Sequence, residues 1–479
     1  MSRLTNITIA AALTAAVVGG TAAASAKSFS SPLLDRHARG QVDQVGGATR
    51  ESGDQTKIIR QALKSGRAKN VILFIGDGMG DSEITVARNY LEGAGGAFKG
   101  IDALPLTGQM THYSVNRDTG KPDYTPDSAA TGTAWSTGVK TYDNAIGVDR
   151  LGHPHQNLLE LAKKKGKATG NITTSEIQDA TPAVEEAHVS LRSCYGPKVT
   201  TANCPEAALQ NGGLGSISEQ LLNTRPDVTM GGGSATFEAS TPADLAQAGP
   251  WVGQTLKAQA LARGYRYITA KGDLAGVSTA DQSKPLLALF APGNLPVKLT
   301  GPAATTNGAN LPAASCTPNP AWSNVPSLKD MTSKSIDLLS HNTAGHKKGF
   351  FLQVESASID KQDHAADACG QIGETGQLDD AVRAALDFAR HDKNTLVIVT
   401  ADHAHTSQIV DGNTPGLTVR LATTEGSEMI VAYGTAAAGS SQQHTGTQLR
   451  VAGFGPGAGN LVGLIDQTDI NFIIRRAFG

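Results

Sequence analysis

Five short apolar runs separated by helical patterns constrain this chain more than any other feature. VILFI (71–75), ATGNIT (168–173), DVTMGG (227–232), FFLQVE (350–355) and LVIVT (396–400) read as buried strands. Residues 378–392 carry Leu378, Ala381, Val382, Ala385, Leu386 and Ala389 on one helical face. Strands separated by helices predict an α/β fold with a central, mostly parallel sheet covered by helices on both faces. In such sheets ligands bind beyond the carboxyl ends of the strands. Four of the runs lead there into acidic and other candidate ligands: Asp77 in GDG, Asp179 and Thr181 in QDAT, Glu355 then Asp360, and Asp402-His403. Residues 275–325 and 409–443 read as long irregular excursions, so a single domain over 27–479 is expected, with a loop excursion near 409–443.

Composition removes several function classes. Net charge is −2, from 41 basic and 43 acidic residues, with no basic stripe, so no nucleic-acid-binding surface is expected. The 54 Gly and 21 Pro fall short of a low-complexity chain. Residues 1–26 carry one basic side chain, Arg3, an Ala/Val/Ile-rich run and then Ala24-Ser25-Ala26. That pattern predicts a signal peptide cleaved after Ala26, a secreted protein, and no membrane attachment once the signal is removed; the periplasm as its destination is implied only by the resemblance given below. An even set of four cysteines, Cys194, Cys204, Cys316 and Cys369, fits export and favours two disulfides, with three pairings open.

Taken singly, the polar motifs are weak. GDGMGDS (76–82) has Asp81 where a dinucleotide loop needs its third Gly, and Asp77 would repel a pyrophosphate; the glycines instead clear space for Asp77 to reach a cation. SIDKQDH puts Asp360 and His364 four apart, on one face of a helix, a spacing shared by metal ligands and by ordinary surface ion pairs. In ADHAH, Asp402 and His403 can converge on one ion only through a turn; His405 could belong with them, though a structural role is the stronger reading. His444 alone reads as a surface histidine. Together, however, these residues mass carboxylates beside four strand ends, where cations would offset their repulsion. DYTPDSAATGTAW (123–135) places Ser128 at the start of a small-residue helix, with no histidine in the segment to activate it, so activation by a metal is the alternative. Arg192, beside Cys194, suits a bidentate grip on a phosphoryl group.

These segments (DGMGDSEIT, DSAATGTAW, QDATPA, SLRSCYG, Gly349 to Gln408 and HTGTQLR) occur in order and together resemble the bacterial periplasmic alkaline phosphatases, from about Gly53 to near the C-terminus. The resemblance implies a broad-specificity phosphate monoester hydrolase, an alkaline phosphatase acting through a phosphoserine intermediate. It implies Ser128 as nucleophile and Arg192 as the phosphate-holding residue. It also implies two Zn2+ per subunit, one held by Asp360, His364 and His444 and the other by Asp77, Asp402 and His403. One Mg2+ is implied at Asp77, Thr181 and Glu355, with Asp179 and Lys361 reaching it or the phosphate through water. It further implies disulfides Cys194–Cys204 and Cys316–Cys369 and a homodimer. Two departures stand out: Ser356 where a Gly is expected after the glutamate, and a loop at 411–440 of different length and composition. The alternatives are a phosphodiesterase or sulfatase on the same scaffold, against which Arg192 argues, and a non-catalytic secreted zinc- or phosphate-binding protein, which would have no need of Ser128.

Overall fold

The computed structural model describes residues 33–479; the signal peptide expected at 1–26 lies outside the described residues. Ten strands form the central sheet: β1 (Asn70–Gly76), β2 (Leu106–Thr111), β3 (Ala168–Glu176), β4 (Val228–Gly232), β5 (Arg266–Ile268), β6 (Leu286–Leu289), β7 (Phe350–Ser356), β8 (Thr395–Ala401), β9 (Leu449–Phe454) and β10 (Gly463–Asp466). Their order is β10-β2-β9-β8-β1-β7-β3-β4-β6-β5. Within this sheet only β9 runs against its neighbours, pairing antiparallel with both β8 and β2. All five runs read from sequence become strands of the sheet. Every residue of β1, β7 and β8 is buried, as a sheet covered on both faces requires.

Six helices position the site or back the sheet behind it: α1 (Asp81–Glu92), α2 (Ser128–Thr137), α3 (Leu328–His341), α4 (Ser358–His364), α5 (Ala368–Asp392) and α6 (Gln467–Phe478). Helix α5 packs on α1, α3 and α4, and α6 packs on α2. The periodic stripe from Leu378 onward belongs to α5, which starts ten residues earlier than that stripe suggested, at Ala368. Glycines at 370, 373 and 376 hide the helical pattern there, and close packing explains one of them. A Cβ on Gly373 would lie 2.9 Å from the backbone nitrogen of Leu299.

Two expectations need correction. The segment 275–325 is not wholly irregular: Leu286–Leu289 is a buried strand inserted between β4 and β5. A four-residue run between Pro285 and the Pro-rich stretch beyond it carries too little pattern to be read. Nor is 409–443 a plain loop. Strands Gln408–Val410, Leu417–Ala422 and Glu428–Tyr433 form a separate antiparallel sheet in which the third pairs with both others. Cys194 is bonded to Cys204 and Cys316 to Cys369, the second bridge tying the 275–325 segment to the first turn of α5. Among the described residues no helix is long and apolar enough to cross a membrane.

Candidate metal centre and active site

The carboxyl ends of β8, β1, β7 and β3 are adjacent in the sheet, and the acids that come after them meet at one edge. Tight turns make the convergence possible. Gly78 sits at φ +71, and a Cβ there would come within 3.0 Å of the Asp360 Cα and 3.2 Å of His405 Cδ2. A side chain would therefore push the β1 turn away from α4, besides straining a left-handed backbone. The Gly78 N–H donates to Asp402 Oδ1 at 2.8 Å and Asp360 N–H to the Asp77 carbonyl at 2.9 Å, which ties three strand ends together.

Two overlapping groups result. In the first, the Nε2 atoms of His405, His444 and His364 lie 3.1, 3.2 and 3.3 Å from Asp360 Oδ1. In the second, His403 Nε2 lies 3.1 Å from Asp402 Oδ2, 3.5 Å from Asp77 Oδ1 and 4.0 Å from Asp360 Oδ1. Asp360, His364, His405 and His444, and likewise Asp77, Asp360 and His403, are close enough to share an ion. Asp77 Oδ1 and Asp402 Oδ2 are buried with no hydrogen-bond donor. Burial pushes the Asp77 carboxyl well above the ordinary carboxylate range, and the charges of Asp402, Asp360 and Glu355 push the same way. Burial likewise raises Asp402 to about 6 and Glu355 to about 7. Burial acts upward on Asp360 too, but His405 and His444 hold it well below the usual range. Acids left this close and this dry are destabilising unless cations balance them, and oxygen and imidazole donors suit zinc or magnesium. The donor set fits metal.

Ser128 is the first residue of α2 and is 2% exposed, with its Oγ 3.3 Å from His403 Nε2. Asp127 caps the helix through Ala130 N at 3.0 Å. Beside the serine, the charges are paired. The Arg192 guanidinium donates to Asp127 Oδ2 at 3.1 Å and to Asp179 Oδ1 at 2.8 Å. Lys361 Nζ donates to Asp179 Oδ2 at 2.7 Å and the Tyr195 hydroxyl to Asp179 Oδ1 at 3.1 Å. Burial opposes ionisation of Asp179, yet Lys361 and Arg192 hold it far below its ordinary value.

Every expected site residue lies in this region, with Thr181 buried in the short helix after Asp179 and Glu355 bonded to the Thr173 and Ser175 hydroxyls. Ser356 turns its hydroxyl to the Glu374 carbonyl at 3.1 Å, inside the fold. His444 is no ordinary surface residue: it arrives from the chain beyond the three-stranded sheet, its Nδ1 2.9 Å from the Pro126 carbonyl. Sequence reasoning undervalued one participant and missed two. His405, read as structural, has its ring among the cluster; the D-H-A-H alternation was the available signal. Asp127, next to Ser128, carries no sequence signal of its bond to Arg192, and Tyr195 gives none either.

Comparison with known proteins agrees with this geometry. The family model for alkaline phosphatase matches residues 68–440. Alkaline phosphatase H of Pseudomonas aeruginosa (strain UCBPP-PA14) is 58% identical over 475 residues, 98% of each chain. The alkaline phosphatase of Escherichia coli (strain K12) is 58% identical over 453 residues, 94% of each chain. In fold, the alkaline phosphatase of the Antarctic bacterium TAB5 superposes with a TM-score of 0.62 at 23% identity, over 86% of this chain and 99% of that one. Sheet order, strand-end acids and identity along nearly the whole length have one common explanation: the chain belongs to the alkaline phosphatase family.

Proposed function

We propose that the chain hydrolyses phosphate monoesters of broad leaving-group type through a phosphoserine on Ser128. The observation that carries this reading is the buried Ser128 Oγ, 3.3 Å from His403 Nε2 and so at the border of the Asp77–Asp360–His403 group. Asp360, His364 and His444 would hold one zinc, Asp77, Asp402 and His403 a second, and Asp77, Thr181 and Glu355 a magnesium. When bound, these ions supply Lewis acidity to the attacking and departing oxygens.

The chain's own residues do the rest. The N-terminal end of α2 presents free N–H groups to an anion, so the phosphoryl group is held where Ser128 begins the helix. Arg192, fixed by Asp127 and Asp179, has guanidinium donors left for the non-bridging oxygens, whose charge grows in the transition state. The bond from Ser128 Oγ to phosphorus forms as the ester P–O bond breaks, and the alcohol leaves. Water then attacks phosphorus from the side opposite the serine oxygen, the Oγ–P bond breaks, and inorganic phosphate departs with the serine restored. Two in-line displacements give net retention at phosphorus. Lys361, bonded to Asp179, keeps that carboxylate ionised and ready to bond a water beside the phosphate.

The test is p-nitrophenyl phosphate hydrolysis by the mature protein, before and after chelation, with zinc and magnesium restored, and Ser128→Ala in parallel. Loss on chelation, recovery with both metals and at least about a thousandfold loss in Ser128→Ala are expected. A diester or sulfate ester turned over faster than the monoester would overturn the reading. The proposal extends to export by the segment 1–26, a periplasmic location and a homodimer, for which N-terminal sequencing of secreted protein and light scattering are the checks. Matched bacterial relatives and the paired cysteines support it.

A further inference from the structure

We propose that Asn144 is a positioning residue for phosphate, whose left-handed backbone sets the place of Arg192 relative to Ser128. The inference rests on the phosphoryl-gripping role proposed for Arg192 and names a residue on which that grip depends.

Asn144 lies in a strap, residues 142–147, that runs between α2 and the segment 189–192. On one side the Thr133 hydroxyl donates to the Ala145 carbonyl at 3.0 Å and accepts from the Gly147 N–H at 2.9 Å, which fastens the strap to α2. On the other, Ile146 and Val189 exchange two backbone bonds of 2.9 Å, and the Tyr142 hydroxyl donates to the Ser190 carbonyl at 3.1 Å. The strap therefore spaces the helix that begins at Ser128 from the segment that ends at Arg192. Residue 144 closes the arrangement. Its N–H donates to Asp127 Oδ1 at 3.0 Å, and its carbonyl accepts from the Arg192 N–H at 2.7 Å. Asp127 Oδ2 in turn accepts from Arg192 Nη1 at 3.1 Å. Asp127, Asn144 and Arg192 thus form a closed ring in which each residue is bonded to both others.

Asn144 enters this ring through its backbone alone. The side chain is exposed and makes no hydrogen bond among the described residues. Its φ is +74, in a region that Asn and Gly adopt readily and β-branched residues avoid. Arg225 and Lys393, also at positive φ, each end a helix, where that conformation is ordinary. No helix ends at Asn144; the conformation serves the two bonds instead. A residue that left this region would turn its N–H or its carbonyl away and open the ring, freeing Arg192 to shift against Ser128.

The experiment measures inorganic phosphate binding to metal-loaded protein by calorimetry, with KM on p-nitrophenyl phosphate alongside. Asn144→Gly should match the parent. Asn144→Val should raise both the phosphate dissociation constant and KM about fivefold, with bound zinc and magnesium unchanged. Asn144→Ala, less strained than valine, should raise them about twofold and carries the test where valine prevents folding. In the Arg192→Ala background Asn144→Val should add nothing, since its effect passes through that guanidinium. Unchanged phosphate binding in the folded variants, an equal rise in Asn144→Gly, or the same added rise without Arg192 overturns the proposal. A parent that bound phosphate but hydrolysed no ester would overturn the phosphatase reading and leave the calorimetry to decide this one.

Discussion

Two pairs of acids at the same sheet edge keep opposite company. Asp127 and Asp179 meet Arg192, Lys361 and Tyr195, and each carboxylate involved is bonded at 2.7–3.1 Å. Asp77 and Asp402 meet each other and Asp360, and each keeps a buried oxygen with no donor. The first arrangement is complete as protein and holds the Arg192 guanidinium in place. The second is completed only by something positive from outside. Partner count alone thus divides the cleft into a part whose charges are paired within the protein and a part left open to cations.

Three variants put this division at risk, in order of decreasing effect, and a fourth, smaller in effect, probes an acid outside it. Asp402→Asn, on the unpaired side, should lower kcat/KM on p-nitrophenyl phosphate about a thousandfold, with bound zinc falling by elemental analysis. Arg192→Ala, on the paired side, should cost about a hundredfold while metal content stays the same. If Arg192→Ala also lost zinc, the division would be wrong. Asp127→Asn keeps a residue that caps α2 well but removes one charge holding Arg192; a change in KM of less than about tenfold, with kcat nearly constant, is expected from steady-state rates.

The last variant concerns an acid with neither kind of company. Glu185 is fully buried, its Oε1 has no partner, and burial, reinforced by Glu160, raises it to about 8 from an ordinary 4.5. The folded state then holds a proton that the unfolded state has lost. This stability is fully present below about pH 4.5 and is lost as pH rises through about 8. Glu185→Gln cannot ionise, so calorimetry should find the fall in Tm between pH 6 and 9 reduced by about 2–4 °C, with activity at pH 7 unchanged.

Much of this was legible in the sequence because parallel strands buried on both faces are continuous apolar runs, and because candidate ligands come within a few residues of their ends. VILFI before Asp77 and LVIVT before Asp402 are the clearest cases. What escaped has a physical reason in each instance. Leu286–Leu289 is too short to carry a period, and the start of α5 is masked by glycines, one of which serves packing against Leu299. The antiparallel β9 is a mixed-polarity strand whose direction is set by its neighbours rather than by its residues. Arg192 stands out in the sequence as a candidate for gripping a phosphoryl group, but its bond to Asp127 does not, since the two are 65 positions apart and local spacing is silent about such pairs.

The position of His444 has a consequence for how the protein comes into being. It is anchored to Pro126 across 318 positions of sequence, as Asp402 is to Gly78 across 324. Contacts this distant close late, because the chain between them must first be ordered. During synthesis, then, most of the sheet can assemble while the ion-binding cage still lacks a wall, and a chain released before residue 444 is an α/β scaffold without a complete centre. Ions that need His444 can then contribute free energy only once that late segment has docked, where they would lock early and late segments of the polypeptide together.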